Sequence, residues 1–174
     1  SMKLDFEKAI GYRELIQSLN VISEKQKMEG LHEDLDAFAY YSDGINLSIQ
    51  IFHLRNGKMI SRNGFLLPHI DPQEQFQEFI IQFYLVQNNP MPKDIYISEG
   101  DSLLLEELLD HKVVVPKIGQ NLELINLVKA NAKNKIEELL KKEQLEYQKT
   151  TGLMEELSQL LNIPNIHSIE ALDN

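Results

Sequence analysis

The sequence predicts an α/β (α+β) protein, a mixed sheet with flanking helices, preceded by an amphipathic helix. Three observations predict it. The apolar period changes from helical to alternating near residue 36, three strand-like runs then follow one another with tight turn signals between them, and helical and strand-like runs alternate afterwards. Composition permits this reading: of 174 residues, 43% are hydrophobic and 25% charged, the balance of a globular chain with one core and an appendage.

Leu4, Ile10, Leu15, Leu19 and Ile22 recur at near-helical spacing with charges between them, so residues 4–28 read as one amphipathic helix ended by Gly30. Ala37-Phe38-Ala39-Tyr40-Tyr41 is a short aromatic strand running into the turn Ser42-Asp43-Gly44. Leu47 to Leu54 alternates as a second strand, and Arg55-Asn56-Gly57-Lys58 carries the Asn-Gly pair of a tight hairpin into a third strand that ends at Pro68. Asp71-Pro72 with Glu74 opens a helix that places Phe76, Phe79, Ile80, Phe83 and Tyr84 on one face and breaks at Asn88-Asn89-Pro90. Asp94 to Ser98 is a fourth strand, Asp101 caps a helix over Ser102 to Leu109, and Lys112 to Pro116 is a β-branched fifth strand. A long helix is expected from Leu122 to Tyr147 and a separate one from Leu153 to Leu161. Three antiparallel strands followed by alternating helices and strands is the order of the ribonuclease H-like fold.

Several chemistries are excluded or weakened. Without cysteine there is no disulfide framework, thiolate zinc site or cysteine nucleophile, which agrees with a reducing, cytoplasmic setting. No apolar run approaches a membrane span, so no membrane partner is expected. A net charge of −10 argues against the whole surface being a nucleic-acid groove and favours a protein partner. A ribonuclease H-like nuclease needs carboxylates projecting together from neighbouring strands to share two divalent ions. The candidates are Asp36 on the first strand and Glu99 with Asp101 after the fourth, and the plainer reading makes Asp36 a strand-entry residue and Asp101 a helix cap. No third acid is placed, so a ribonuclease H-like core here is expected to be degenerate, without a working metal site. The histidines His32, His53, His69, His111 and His167 show no metal-ligand spacing, and His53 is expected to be satisfied by packing or a carbonyl. Lys117, Lys129 and Lys133, continued by Lys135, Lys141 and Lys142, are candidates for contact with a DNA backbone, with a solvated face paired to Glu137, Glu138 and Glu143 as the plainer alternative.

Leu4-Asp5-Phe6-Glu7-Lys8-Ala9-Ile10-Gly11-Tyr12-Arg13-Glu14-Leu15-Ile16 resembles the second half of a UVR motif, L-x-F-E-x-A-A-x-x-R-D-x-I, with Ile10 and Glu14 as its departures. Ile51 to Ile60 resembles the V-F-x-V-R-x-G-K-L-I segment of the UvrC family, and Gln82-Phe83-Tyr84, Val115-Pro116-Lys117-Ile118-Gly119 and Ala130-Asn131-Ala132 resemble later segments in the same order. Ile169 to Asn174 resembles the I-E-x-F-D-x-S-H entry into that family's C-terminal nuclease domain. The chain therefore resembles a central piece of the UvrC family, excision-repair subunits that make dual incisions in damaged DNA. The resemblance implies three segments: residues 1–30 as half of the UVR motif, 36–147 as an inactive ribonuclease H-like domain, and 148–174 as a helical linker with the first strand of the nuclease domain. It implies UvrB as a partner through Phe6, Ile10 and Arg13 of the N-terminal helix, and damaged DNA as a partner of the full complex. Asp173 corresponds to the first aspartate of the downstream metal site, for which Mg2+ or Mn2+ is expected in the full nuclease, with no cofactor in this piece. Gln120 and Asn121 stand where the family often carries basic residues, which weakens DNA contact there. The chain alone is expected not to cut DNA. Ser1 ahead of Met2 reads as a cleavage scar, and the chain is expected to be a piece of a longer protein.

Overall fold

The sheet of the computed structural model, which describes residues 34–162, begins where the alternating pattern begins. Strands β1 (Leu35–Ser42), β2 (Asn46–Arg55) and β3 (Lys58–Pro68) follow one another antiparallel. Asp43 closes the first turn by accepting from the backbone N–H groups of Asn46 and Ile45 at 2.7 and 2.9 Å, bonds that hold its carboxyl below the ordinary range. The second turn places Asn56 and Gly57 at φ 52° and 72°, the left-handed pair that a two-residue hairpin needs to match the twist of its strands.

After β3 come helix α1 (Pro72–Ile81), a π-helical turn (Gln82–Val86), strand β4 (Asp94–Ile97), helix α2 (Ser102–Leu109), strand β5 (Val113–Val114) and helix α3 (Gly119–Leu161). β4 runs parallel to β1 and β5 parallel to β4, giving the sheet order β3-β2-β1-β4-β5 with β1 in the middle. The central position explains why β1 reads as a continuous apolar run, since both of its faces are covered. Asp71 and Asp101 cap α1 and α2 as expected, accepting from the N–H groups of Glu74 and Leu104 at 3.1 and 3.0 Å.

One face of the sheet presents Phe38, Tyr40, Ile49, Ile51, Ile95 and Ile97 to Phe76 and Ile80 of α1, Phe83 and Tyr84 of the π turn, and Leu105 and Leu109 of α2. The opposite face presents Leu35, Ala37, Ala39, Phe52, Leu54 and Tyr96 to Leu124, Ile125 and Val128 near the start of α3. The mixed sheet with helices on both faces is the expected class.

Three local expectations are corrected. The helix after Pro72 is not regular to Asn88: the N–H of Gln87 bonds back to the carbonyl of Gln82, five residues earlier. This wider turn keeps Phe83 and Tyr84 buried while leaving Leu85 and Val86 exposed. The fifth strand is only two residues long, because the ladder stops short of Pro116, which has no N–H to donate. The two C-terminal helices are one. Gly152 costs a helix about 1 kcal/mol relative to alanine, too little to end it, and the Thr150 and Thr151 hydroxyls bond back to the carbonyls of Glu146 and Tyr147 within it.

The described residues divide into two compact units, 34–134 and 135–162, the second of them helical with a Lys135–Glu138 ion pair at 3.8 Å. Among the described residues no helix is long and apolar enough to cross a membrane. The expected N-terminal helix over 4–28 and the strand entry at 169–174 lie outside them.

The layering sets a stability ranking. Phe38→Ala should cost about 3–5 kcal/mol in urea unfolding, by emptying the centre of a fully buried face. Asp101→Ala should cost only about 1 kcal/mol, by releasing one helix-capping bond.

Candidate functional site

Asp36, the second residue of β1, is fully buried, where a carboxylate is rarely found without partners. Strand register supplies the first of them: Asp36 stands opposite His53 on β2, so both side chains leave the same face of the sheet. His53 Nδ1 lies 2.8 Å from Asp36 Oδ1, Arg55 Nη1 donates to the same oxygen at 2.9 Å, and the Tyr84 hydroxyl donates to Oδ2 at 2.6 Å. An ionised carboxylate only accepts, so Nδ1 of His53 carries its proton and Nε2 faces the Asn63 amide nitrogen at 3.4 Å. Arg55 Nη1 is further fixed by the carbonyls of Leu35 and Leu54 at 3.2 and 2.8 Å.

Burial alone would push the Asp36 carboxyl up. The bonds from His53 and Tyr84, the attraction of the imidazole and the Arg55 bond together outweigh it, and the group is held below its ordinary value. The Tyr84 hydroxyl is driven far up by its own burial and by the neighbouring carboxylate, so it stays a donor. The result is an ionised carboxylate enclosed by three donors.

The acids expected as candidates do not converge. Parallel pairing sets Asp36 against Ile95 and Phe38 against Ile97, which carries Glu99 to the level of Tyr40, about 13 Å along the strands from Asp36. There Glu99 pairs with Lys129 at 3.4 Å, and burial together with the Glu99 charge raises the Tyr40 hydroxyl to about 12. Asp101 is occupied as a helix cap. Among the described residues no group of three His, Asp or Glu side chains could hold a metal ion. Asp173, the position that the resemblance ties to Mg2+ or Mn2+, lies outside the described residues, as do Phe6, Ile10 and Arg13.

His53 is packed as expected, but its polar partner differs. Its partner is a buried carboxylate and not a carbonyl, and its ring stacks on Phe83 at 6.0 Å. His69 and His111 serve local bonds, to the Ser42 hydroxyl at 2.6 Å and the Lys93 carbonyl at 2.9 Å. Of the candidate DNA-contacting lysines, Lys117 is exposed, Lys129 is tied to Glu99 rather than to the acids of its own helix, and Lys133 lies 5.9 Å from the centre of the Tyr41 ring.

Beside His53 and Arg55 opens a cleft of about 220 Å³, closed on one side by Ile60, Ser61 and Asn63 of β3 and on the other by Phe83, Asn89 and Pro90. No acidic side chain lines it. The signal for it is present in the sequence, where residues 44–70 contain Arg55, Lys58 and Arg62 and no Asp or Glu, in a chain with 27 acids. Attention to lysine spacing on the long helix passes over this stretch.

Comparison with known proteins decides the family. Residues 34–139 match the model of the UvrC ribonuclease H-like domain. The chain belongs to the UvrC family. It is 34% identical to UvrABC system protein C of Streptococcus agalactiae over 179 aligned residues, and 37% identical to the protein of the same name from Ligilactobacillus salivarius over 177, with all of this chain covered in both cases. The chain spans about 30% of the length of these UvrC relatives. Endonuclease V of Ciona intestinalis, solved with inosine-containing DNA, is a far more distant likeness at 15% identity and a TM-score of 0.36 over 60% of each chain, and carries no argument. The UvrC-family ribonuclease H-like domain thus holds a buried carboxylate whose oxygens are turned to other side chains.

That enclosure has measurable consequences. Asp36→Ala should destabilise the fold by about 2–4 kcal/mol, because the buried Tyr84 hydroxyl and His53 imidazole lose their acceptor. Tyr84→Phe, which removes one bond to a charged acceptor, should cost about 1.5–3 kcal/mol in the same unfolding experiment. Because folding lowers the pKa of Asp36, its contribution is fully present above the ordinary value of 3.8 and is lost as pH falls through the lower folded value. Thermal unfolding between pH 5 and pH 2 should therefore show a steeper acid loss for the parent chain than for Asp36→Asn.

Proposed function

We propose that this chain is a non-catalytic interaction and positioning module of a UvrC-family protein that acts in nucleotide excision repair, binding UvrB and linking the two incision domains. The observation that carries the non-catalytic part is the commitment of Asp36 to His53, Arg55 and Tyr84, with Glu99 four strand positions away and tied to Lys129. A carboxylate sealed from solvent and faced by three protein donors is not open to a pair of cations in line with a phosphate. Family membership and the relatives' name support the repair role. The match of residues 4–16 to the UVR pattern supports UvrB as the partner, with Phe6 as the apolar anchor and Ile10 and Arg13 beside it.

A second reading, a DNA-backbone contact within the same repair protein, is favoured by the acid-free stretch around the β2–β3 hairpin.

Incubating the 174-residue chain with supercoiled plasmid and Mg2+ or Mn2+ should leave the plasmid intact, whereas nicking that disappears in Asp36→Ala would reject the non-catalytic assignment. Titration against the C-terminal UVR motif of UvrB should give binding that Phe6→Ala weakens by about 2 kcal/mol, roughly thirtyfold. Unchanged affinity in that variant would remove the N-terminal helix from the interface.

A further inference from the structure

The cleft beside Arg55 is built as an anion site. Nη1 of Arg55 is fixed by the Asp36 carboxylate and two carbonyls, while Nε and Nη2 make no hydrogen bond among the described residues. The guanidinium is thus anchored by one nitrogen, is partly exposed and lines the cleft, and a planar fork with two unengaged nitrogens can make two parallel bonds to a pair of anionic oxygens. The other polar groups lining the cleft are uncharged: the Ser61 hydroxyl, the Asn63 amide beside His53 Nε2, and Asn89, whose amide nitrogen is held by the Phe83 carbonyl and Gln87 Oε1. Asp36 is walled off beneath, with its side chain 1% exposed, and Asp34 is engaged by the Asn56 N–H at the turn and does not line the cleft. Register places Lys58 directly opposite Arg55, so a second, exposed cation leaves the same face at the rim. Arg62 belongs to the other face, with its guanidinium carbon 5.9 Å from the centre of the Phe52 ring.

We propose that this cleft binds a phosphodiester group of a nucleic-acid strand, gripped by the free edge of Arg55 with Lys58 on the neighbouring phosphate. The inference rests on the DNA-contact reading above and moves that contact from the lysines of α3 to the β2–β3 hairpin. A cationic side chain, the neighbouring Ser61 hydroxyl and an acid-free rim are the groups that position a phosphate backbone without reading its sequence. In a chain of net charge −10, a stretch of 27 residues from Gly44 to Ile70 without an acid keeps local repulsion from opposing a polyanion.

The test is fluorescence anisotropy of the 174-residue chain with a labelled oligothymidylate and with a labelled duplex, at two salt concentrations. Arg55→Lys keeps a cation for Asp36 but removes the fork, and Lys58→Gln changes only an exposed side chain, so at least one of the two folds normally. Each should weaken binding roughly five- to tenfold and reduce the salt slope by about one. Arg62→Gln and Lys129→Gln should stay within about twofold of the parent. Loss of binding in Lys129→Gln and Lys133→Gln with no effect at Arg55 and Lys58 would overturn the inference while leaving the DNA-contact reading in place. No salt-sensitive binding to either nucleic acid would overturn both. Displacement of the strand by thymidine monophosphate at equal phosphate concentration would mark a free-nucleotide site, and displacement by polyglutamate at equal charge an acidic-peptide site. Either of those results would also reject the proposal.

Discussion

A carboxylate sealed from water has to be answered inside the protein, and the answer to Asp36 joins the parts of the domain. Its three donors come from two structural elements besides its own: His53 and Arg55 from β2, and Tyr84 from the π turn. The interaction therefore fixes the register of β1 against β2 and the depth at which the π turn sits on the sheet. A one-residue slip of β1 would turn the carboxylate to the other face, among Leu54, Phe52 and Leu124, away from His53, Arg55 and Tyr84. A buried ion pair of this kind is a weak source of net stability compared with apolar packing, yet losing one member is costly, so its value lies in rejecting wrong arrangements.

Around that centre the packing is aromatic. Phe38 meets Phe83 and Tyr84 edge-on at 5.6 and 5.8 Å, Phe83 meets Tyr84 at 5.1 Å, and Phe83 stacks on His53. Tyr84 belongs to both networks, its ring in the apolar layer and its hydroxyl on the carboxylate, as suits a side chain with an apolar body and one polar end. The π turn carries this residue. It buries two consecutive aromatic residues and leaves the next two apolar residues outside.

The same fold class hosts nucleases and non-nucleases, and the difference lies in where the acids go. In this UvrC-family domain the acids in and around the sheet have separate duties: Asp36 holds basic side chains in place, buried Asp94 pairs with Lys112 at 3.3 Å, Glu99 meets Lys129 and Tyr40, and Asp101 and Asp71 begin helices. On the β2–β3 hairpin side, Arg55 is supported from behind by the Asp36 carboxylate at 2.9 Å.

Local chemistry determined much of this from the sequence alone. The Asn56-Gly57 hairpin, the Asp71 and Asp101 caps, the alternation of β1 to β3 and the apolar face of α1 are all set by interactions within a few residues, and their signals are correspondingly direct. The family resemblance was likewise readable in short ordered segments. The partners of Asp36 were not, since His53, Arg55 and Tyr84 lie 17, 19 and 48 residues away and meet it only through strand register and the π turn. Distance along parallel strands separated Asp36 from Glu99, which sequence order alone had allowed to pair. The continuity of the last helix through Thr150-Thr151-Gly152 was decided by the small size of the glycine penalty against a long run of helical bonds, a balance that a breaker motif read by itself misjudges. The sequence determined which groups were available, and tertiary structure decided which of them were spent on each other, because buried charge is resolved only by neighbours in space.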